Sequence, residues 1–180
     1  MSFYNIVAST KEATVVAEYT PEPYRAVDYQ SEADMEADLL QRLQAQGYEY
    51  ITITDEDTLI ANLRKQLELL NSIVFSEAEW KRFFNQCLAS ANEGIIEKTR
   101  KIQTDHVQML KRDDGSTKNV SLVDKKNIHN NRLQVLNQYE EAEGTHKSRY
   151  DVTILVNGLP MVHLELKRRG VAIREAFNQI

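Results

Sequence analysis

The stretch Tyr150-Asp151-Val152-Thr153-Ile154-Leu155-Val156-Asn157-Gly158-Leu159-Pro160-Met161-Val162-His163-Leu164-Glu165-Leu166-Lys167 decides the fold of this chain. Two β-rich runs, 150–156 and 161–166, flank Asn157-Gly158, the strongest short-range signal for a hairpin. An acid opens the first strand and an acid-x-Lys triplet closes the second. Register determines whether they meet. A strict two-residue turn sets Asp151 opposite Leu164 and sends Glu165 to the other face. A three-residue loop, Asn157-Gly158-Leu159, sets Asp151 opposite Glu165, with Thr153 and His163 on the same face. It also pairs Val152 with Leu164 and Ile154 with Val162 as one apolar surface. A one-residue slip would expose that whole set, so burial specifies the register. The expectation is therefore the three-residue loop, with a bulge at its glycine.

Working outward, Leu133, Val135 and Tyr139 alternate with polar residues in a further strand. Val107, Met109, Val120 and Leu122 flank Asp113-Asp114-Gly115 as a second hairpin. Before about residue 100 the period is helical. Ser31 reads as an N-cap, with Asp34 three residues on; Met35, Leu39, Leu40 and Leu43 follow, and Gly47 closes the helix. Residues 48–54 read as a short strand. Residues 55–70 form a second helix on Leu59, Ile60, Leu63, Leu67 and Leu70. Ser76 opens a third through Trp80, Phe83, Phe84, Cys87 and Leu88, whose apolar side chains read as core. Residues 13–19 are the first strand candidate, stopped by Pro21-Glu22-Pro23, and a helical pattern resumes at Val171. Strands flanked by helices predict an α/β fold with a mixed β-sheet. With no internal repeat or linker, residues 1–180 read as a single domain.

Charge divides the chain. The net charge of −5 hides a balance of −10 over residues 1–97 and +5 over residues 98–180. An acidic whole argues against nucleic acid as partner, but a local basic surface is what phosphate contact requires. The single Cys87 excludes a disulfide framework and a Cys-rich zinc site, and points to a reducing, cytoplasmic compartment. No apolar run approaches the ~18 residues of a membrane span, and no secretory signal opens the chain.

Three acid-x-Lys triplets occur, where chance alone gives roughly 1.7: Glu79-Trp80-Lys81, Asp124-Lys125-Lys126 and Glu165-Leu166-Lys167. The first lies in a helical pattern and reads as a solvated face, and the second reads as a turn. Only in the third does a strand's period of two put both charged side chains on one face. Two carboxylates held together repel unless a cation lies between them, and two acids with waters form the oxygen shell Mg²⁺ prefers. Lys167 is then placed to orient a water or offset developing negative charge. An exposed strand pair with a surface salt bridge, worth ~0–1 kcal/mol, is the plainer reading of the same residues.

Asp151 and Glu165-Leu166-Lys167, with the apolar strands between them, resemble the PD-(D/E)xK nuclease motif. Residues 165–179, Glu-Leu-Lys-Arg-Arg-Gly-Val-Ala-Ile-Arg-Glu-Ala-Phe-Asn-Gln, resemble the N-terminal region of HsdR, the restriction and motor subunit of type I restriction–modification enzymes, and most of all its IC-like subgroup. The early Ser31-Glu32-Ala33-Asp34-Met35-Glu36 helix leading to Gly47-Tyr48-Glu49-Tyr50 shares the likeness. The resemblance implies a PD-(D/E)xK restriction-endonuclease-like core, and Mg²⁺-dependent, non-specific cleavage of double-stranded DNA after ATP-driven translocation by other domains. It implies Asp151 and Glu165 as metal ligands, Lys167 serving the attacking water, and methyltransferase and specificity subunits as partners. An acid of the first helix, Glu32 ahead of Glu36, would complete the site, although either acid equally suits a helix N-terminus. Arg168, Arg169 and Arg174 would meet the DNA backbone, or simply be solvated. Asp151 follows Tyr150 where the motif name has proline. Gln179 would begin the family's Gln-x-x-x-Tyr motif, whose tyrosine falls past Ile180. No Gly-x-x-x-x-Gly-Lys-Ser/Thr phosphate loop occurs, so ATP is expected only in a full-length subunit, of which this chain reads as a nuclease fragment. A DNA-binding or allosteric module without turnover, and a nuclease of a repair or recombination protein, are the competing expectations.

Overall fold

Ser31 starts the first helix as its spacing predicts. Its hydroxyl accepts from the Asp34 N–H at 3.1 Å, and the Asp34 carboxylate accepts from the Ser31 N–H at 3.2 Å, satisfying two donors a helix N-terminus would otherwise leave bare. The computed structural model describes residues 4–9, 15–19, 31–141 and 148–167, with side chains over 31–139 and 150–167. They fall in two compact units, Met1–Gln30 and Ser31–Ile180. In the first unit β1 (Tyr4–Ser9) pairs antiparallel with β2 (Val15–Tyr19). The strand reading of residues 13–19 thus meets β2, while β1 has no counterpart in the sequence reading.

The second unit runs α1 (Glu32–Ala45), β3 (Glu49–Tyr50), α2 (Glu56–Asn71), α3 (Glu77–Phe83), α4 (Ile95–Thr104), β4 (Val107–Lys111), β5 (Thr117–Ser121), β6 (Leu133–Glu141), β7 (Ser148–Val156) and β8 (Leu159–Leu164). It is a mixed α/β fold of nuclease-like kind. Its four-stranded sheet has the order β3-β6-β7-β8, with β3 parallel to β6 and the rest antiparallel, and β4 and β5 form a separate pair. Among the described residues no helix is long and apolar enough to cross a membrane. The helical stretch expected from Val171 lies outside the described residues.

Helices cover the sheet on both faces, and strand alternation assigns residues to each. Val135, Val152, Ile154, Leu164 and Leu166 pack with Leu39, Leu40 and Leu43 of α1. Leu136, Tyr139, Tyr150 and Leu155 pack with Leu59 of α2 and with Ile51 and Ile53. A third cluster joins Leu63 and Leu67 of α2 to Phe75, Trp80, Phe83, Leu110, Val120, Leu122 and Leu159. The Phe75 and Trp80 rings meet edge-on at 5.3 Å, the arrangement their quadrupoles favour.

Several expectations change. Residues 48–54 keep only two residues of strand, because β3 lies at the sheet edge with one neighbour and the chain then turns Ile51 and Ile53 inward. The phase of β4 is opposite to the expected one: Leu110 is buried, while Val107 and Met109 are exposed. The third helix passes after Phe83 into a π-turn over Phe84–Leu88, closed by the Ala89 N–H on Phe84 O at 2.8 Å. Glu79 does not lie on a solvated face. It is buried in α3, accepts from the Ser76 and Asp113 N–H groups at 2.9 Å each, and pairs with Arg112 at 3.1 Å.

The decisive hairpin also closes differently in detail. Asn157 and Gly158 take φ of 52° and 79°, the two-residue turn that suits the right-handed twist of the strands. Val156 pairs with Leu159 and Leu155 with Pro160, after which the register shifts. Beyond the shift Ile154 pairs with Val162, Thr153 with His163 and Val152 with Leu164, the alignment expected for the functional end. The extra residue sits at Met161 in the strand, not at the glycine of the turn. Burial against α1 determines the far register and the turn determines the near one, so a bulge between them reconciles both.

Candidate active site

A break in strand alternation marks Asp151. Tyr150 and Thr153 stand three positions apart and would face opposite ways in a regular strand. Both instead line one cavity on the α2 side, of about 320 Å³, together with Tyr139 and His163. Across the sheet Gln138 has φ of 55°, and no direct pair joins Gln138 to Asp151 although the pairs on either side, Asn137 with Val152 and Tyr139 with Tyr150, are regular. The irregularity frees Asp151 from the ladder's alternation. Its Oδ2 accepts from the Leu166 N–H at 2.7 Å, a charge-assisted bond that ties the start of β7 to the segment after β8.

On the same segment Lys167 Nζ lies 2.6 Å from Glu165 Oε1 and 3.8 Å from Glu32 Oε2. The hydrogen bond that Lys167 donates to Glu165, with the further charges of Glu165, Glu32 and Asp151, raises the ammonium's pKa above its ordinary range against the opposing effect of burial. Glu165 and Glu32 thus pair with one lysine that is 19 % exposed, and Asp151 adds a further negative charge. Glu165 is itself nearly buried, so the pair is screened little by water.

The two acids of α1 part company here. Glu32 reaches Lys167. Glu36 is occupied elsewhere: Asn137 Nδ2 donates to its Oε1 at 2.5 Å, and Gln138 Nε2 donates to its Oε2. Glu36 therefore anchors α1 to the irregular part of β6. Asn137 and Gln138 carry no chemical signature in the sequence, and only the fold discloses that they hold this acid. Thr153 and His163, expected beside the acids, instead line the α2-side cavity. Thr153 Oγ1 lies 2.9 Å from His163 Nδ1, and the His163 ring stacks on Tyr150 at 4.0 Å. Asp124 of the second triplet caps a turn, accepting from the Lys126 and Asn127 N–H groups. Cys87 is half-buried and its thiol is pushed up by burial, as suits a packing residue. Arg168, Arg169, Arg174 and Gln179 lie outside the described residues.

Among the described residues no group of three or more histidine, cysteine or carboxylate side chains gathers as a ready metal cage. The donor chemistry nonetheless fits a hard cation. Asp151 and Glu165 each engage one carboxylate oxygen in the contacts above, and no described residue donates to Asp151 Oδ1 or Glu165 Oε2. One or two carboxylates plus water and substrate phosphate is the set Mg²⁺ usually takes.

Residues 29–180 match the family model described as the type I restriction enzyme R protein N terminus. The chain is 49 % identical over 175 residues to the type I restriction enzyme EcoprrI endonuclease subunit of Escherichia coli, covering 97 % of this chain and 56 % of that protein. It is 41 % identical over 157 residues to the SsaAORF53P endonuclease subunit of Staphylococcus saprophyticus, covering 84 % of this chain and 16 % of that one. The SauMSSORF170P endonuclease subunit of Staphylococcus aureus is 40 % identical over the same length and with the same shares covered. The chain thus spans about half of one curated relative and about a sixth of the others.

Proposed function

Because the chain belongs to the family of type I restriction enzyme R-protein N-termini, we propose that it is the DNA-cleaving domain of such a subunit, with Asp151, Glu165 and Lys167 as its site. The observation that carries the reading is Lys167, held 2.6 Å from Glu165 and 3.8 Å from Glu32 beside the Asp151 carboxylate. Positions so far apart in sequence converge there without any packing need for their charges.

Asp151 and Glu165 would hold Mg²⁺ through their remaining oxygens. Such an ion supplies polarisation of a phosphodiester oxygen and a water of lowered pKa. Lys167 stays an ammonium at neutral pH, so it serves as a donor and positive charge toward a phosphate rather than as a proton acceptor. Glu32 lies 3.8 Å from that ammonium and adds a second acidic partner, and the Leu166 N–H orients the Asp151 carboxylate. The substrate is double-stranded DNA, cut at non-specific positions in the cytoplasm. ATP-driven translocation belongs to motor segments outside this chain, which has no phosphate loop. Sequence recognition belongs to the methyltransferase and specificity subunits. The basic run Arg168, Arg169 and Arg174 follows Lys167 directly and suits the DNA backbone.

The test uses the full-length subunit in its complex. Alanine at Asp151, Glu165 or Lys167 should abolish DNA cleavage while ATP hydrolysis continues. Cleavage at the normal rate by all three variants would refute the assignment.

A further inference from the structure

The hairpin that carries Asp151 and Glu165 has two ways to close, and only one serves the site proposed above. If the register of the turn, Val156 with Leu159 and Leu155 with Pro160, ran on, Thr153 would face Val162 and Asp151 would face Leu164. Glu165 would then turn to the opposite face. The bulge at Met161 prevents this, yet Met161 and Val162 are each 42 % exposed, so burial of the bulge itself does little to hold it.

His163 is the first residue beyond the bulge whose side chain bonds across the strands. Its Nδ1 lies 2.9 Å from Oγ1 of Thr153, a residue only 2 % exposed. Its ring stacks on Tyr150 at 4.0 Å and 21°. One side chain thus grips residues on both sides of Asp151, and it precedes Glu165 by two. A slip would move His163 from Thr153, putting Val162 in its place and leaving the buried hydroxyl without this partner, a penalised state. Tyr150 reaches the stack because alternation breaks at Asp151.

We propose that His163, acting through Thr153 and Tyr150, is a positioning residue that locks the bulged register favoured by burial against α1 and so holds Glu165, Leu166 and Lys167 against Asp151. It works from the α2 side of the sheet and touches neither DNA nor metal. This inference rests on the reading of Asp151 and Glu165 as the nuclease site.

The experiment compares His163→Ala, His163→Asn, Thr153→Val and deletion of Met161 in the full-length subunit within its complex. The direct readout is amide hydrogen exchange. His163→Ala should lose protection at Leu166, whose N–H Asp151 holds, while β6 keeps its protection. The Mg²⁺ concentration for half-maximal cleavage should rise about tenfold or more, as for lost supports of metal ligands, with ATP hydrolysis unchanged. His163→Asn keeps a hydrogen-bonding group for Thr153 and should recover part of the loss. Thr153→Val should resemble His163→Ala, and the double variant should be no worse than either. Deleting Met161 should abolish cleavage as fully as Glu165→Ala. If His163→Ala also loses β6 protection, it has unfolded, and the near-isosteric Thr153→Val decides. Normal Leu166 protection and Mg²⁺ dependence in Thr153→Val would overturn the proposal. If cleavage is lost on Ala substitution of Asp151 and Glu165 while His163 and Thr153 variants cut normally, only this inference falls. If Asp151 and Glu165 prove dispensable, the site reading falls with it.

Discussion

Gly158 lies against the backbone of Leu63: a Cβ at position 158 would come within 2.6 Å of Leu63 Cα and 3.0 Å of its N. The turn of the β7–β8 hairpin is therefore seated on α2, and its φ of 79° already favours glycine. Gly158→Ala should destabilise the fold by about 2 kcal/mol or more, since backbone rather than a flexible side chain must yield. Thermal unfolding of the purified chain measures it, and an unchanged midpoint would show that the turn is free to lift from α2.

The separate duties of Glu32 and Glu36 predict opposite phenotypes. Glu32 is 45 % exposed and its carboxylate is the one that meets Lys167, so Glu32→Gln should slow DNA cleavage with little change in melting temperature. Glu36→Ala removes the acceptor of two side-chain amides and should cost about 1–3 kcal/mol of stability. A Glu32 variant that melts early yet cleaves normally would reverse the assignment.

Lys167 should not appear as a base in the pH dependence of cleavage. Its folded pKa is raised above the ordinary 10.5 by Glu165, Glu32 and Asp151. The attraction therefore stabilises the fold fully below pH 10.5 and fades as pH rises through the folded value. The cleavage profile of the complex should show no Lys167 ionisation between pH 6 and about 9. An inflection in that window that disappears in Lys167→Arg would contradict this.

Glu79 links α3 to the β4–β5 hairpin and should make their union acid-sensitive. Hydrogen bonds from the Ser76 and Asp113 N–H groups, then the charge of Arg112, hold its carboxyl below the ordinary 4.5. A lowered folded pKa means the contribution is whole above pH 4.5 and is lost as pH falls through the folded value. Wild type should lose stability over that acid range more steeply than Glu79→Gln. Parallel pH-stability curves would contradict the linkage.

Local patterns were readable from the residues alone. Ser31 with Asp34, Ser76 with its helix, and the positive-φ Gly47 past α1 act on groups only a few positions away, so their roles survive without knowledge of the fold. The alignment of Val152 with Leu164 was legible because burial of a whole strand face admits one register. Glu79 shows the limit. Its sequence neighbours suit a solvated helix, but Asp113 and Arg112, more than thirty positions away, turn it into a buried acceptor.

Composition, period and the Asn157-Gly158 turn determined by themselves that this is a mixed α/β chain with a hairpin leading from Asp151 to Glu165-Leu166-Lys167. The second strand ends at Leu164, however, and leaves Glu165 and Lys167 on the segment after it, not on a strand face as the pattern predicts. Only the tertiary structure decided that the bulge lies at Met161, that alternation breaks opposite Gln138, and that Glu32 rather than Glu36 meets Lys167. The reason is physical. A turn and a buried face are set by residues near one another in the chain, whereas a carboxylate's partner is set by whichever distant segment packing delivers to it.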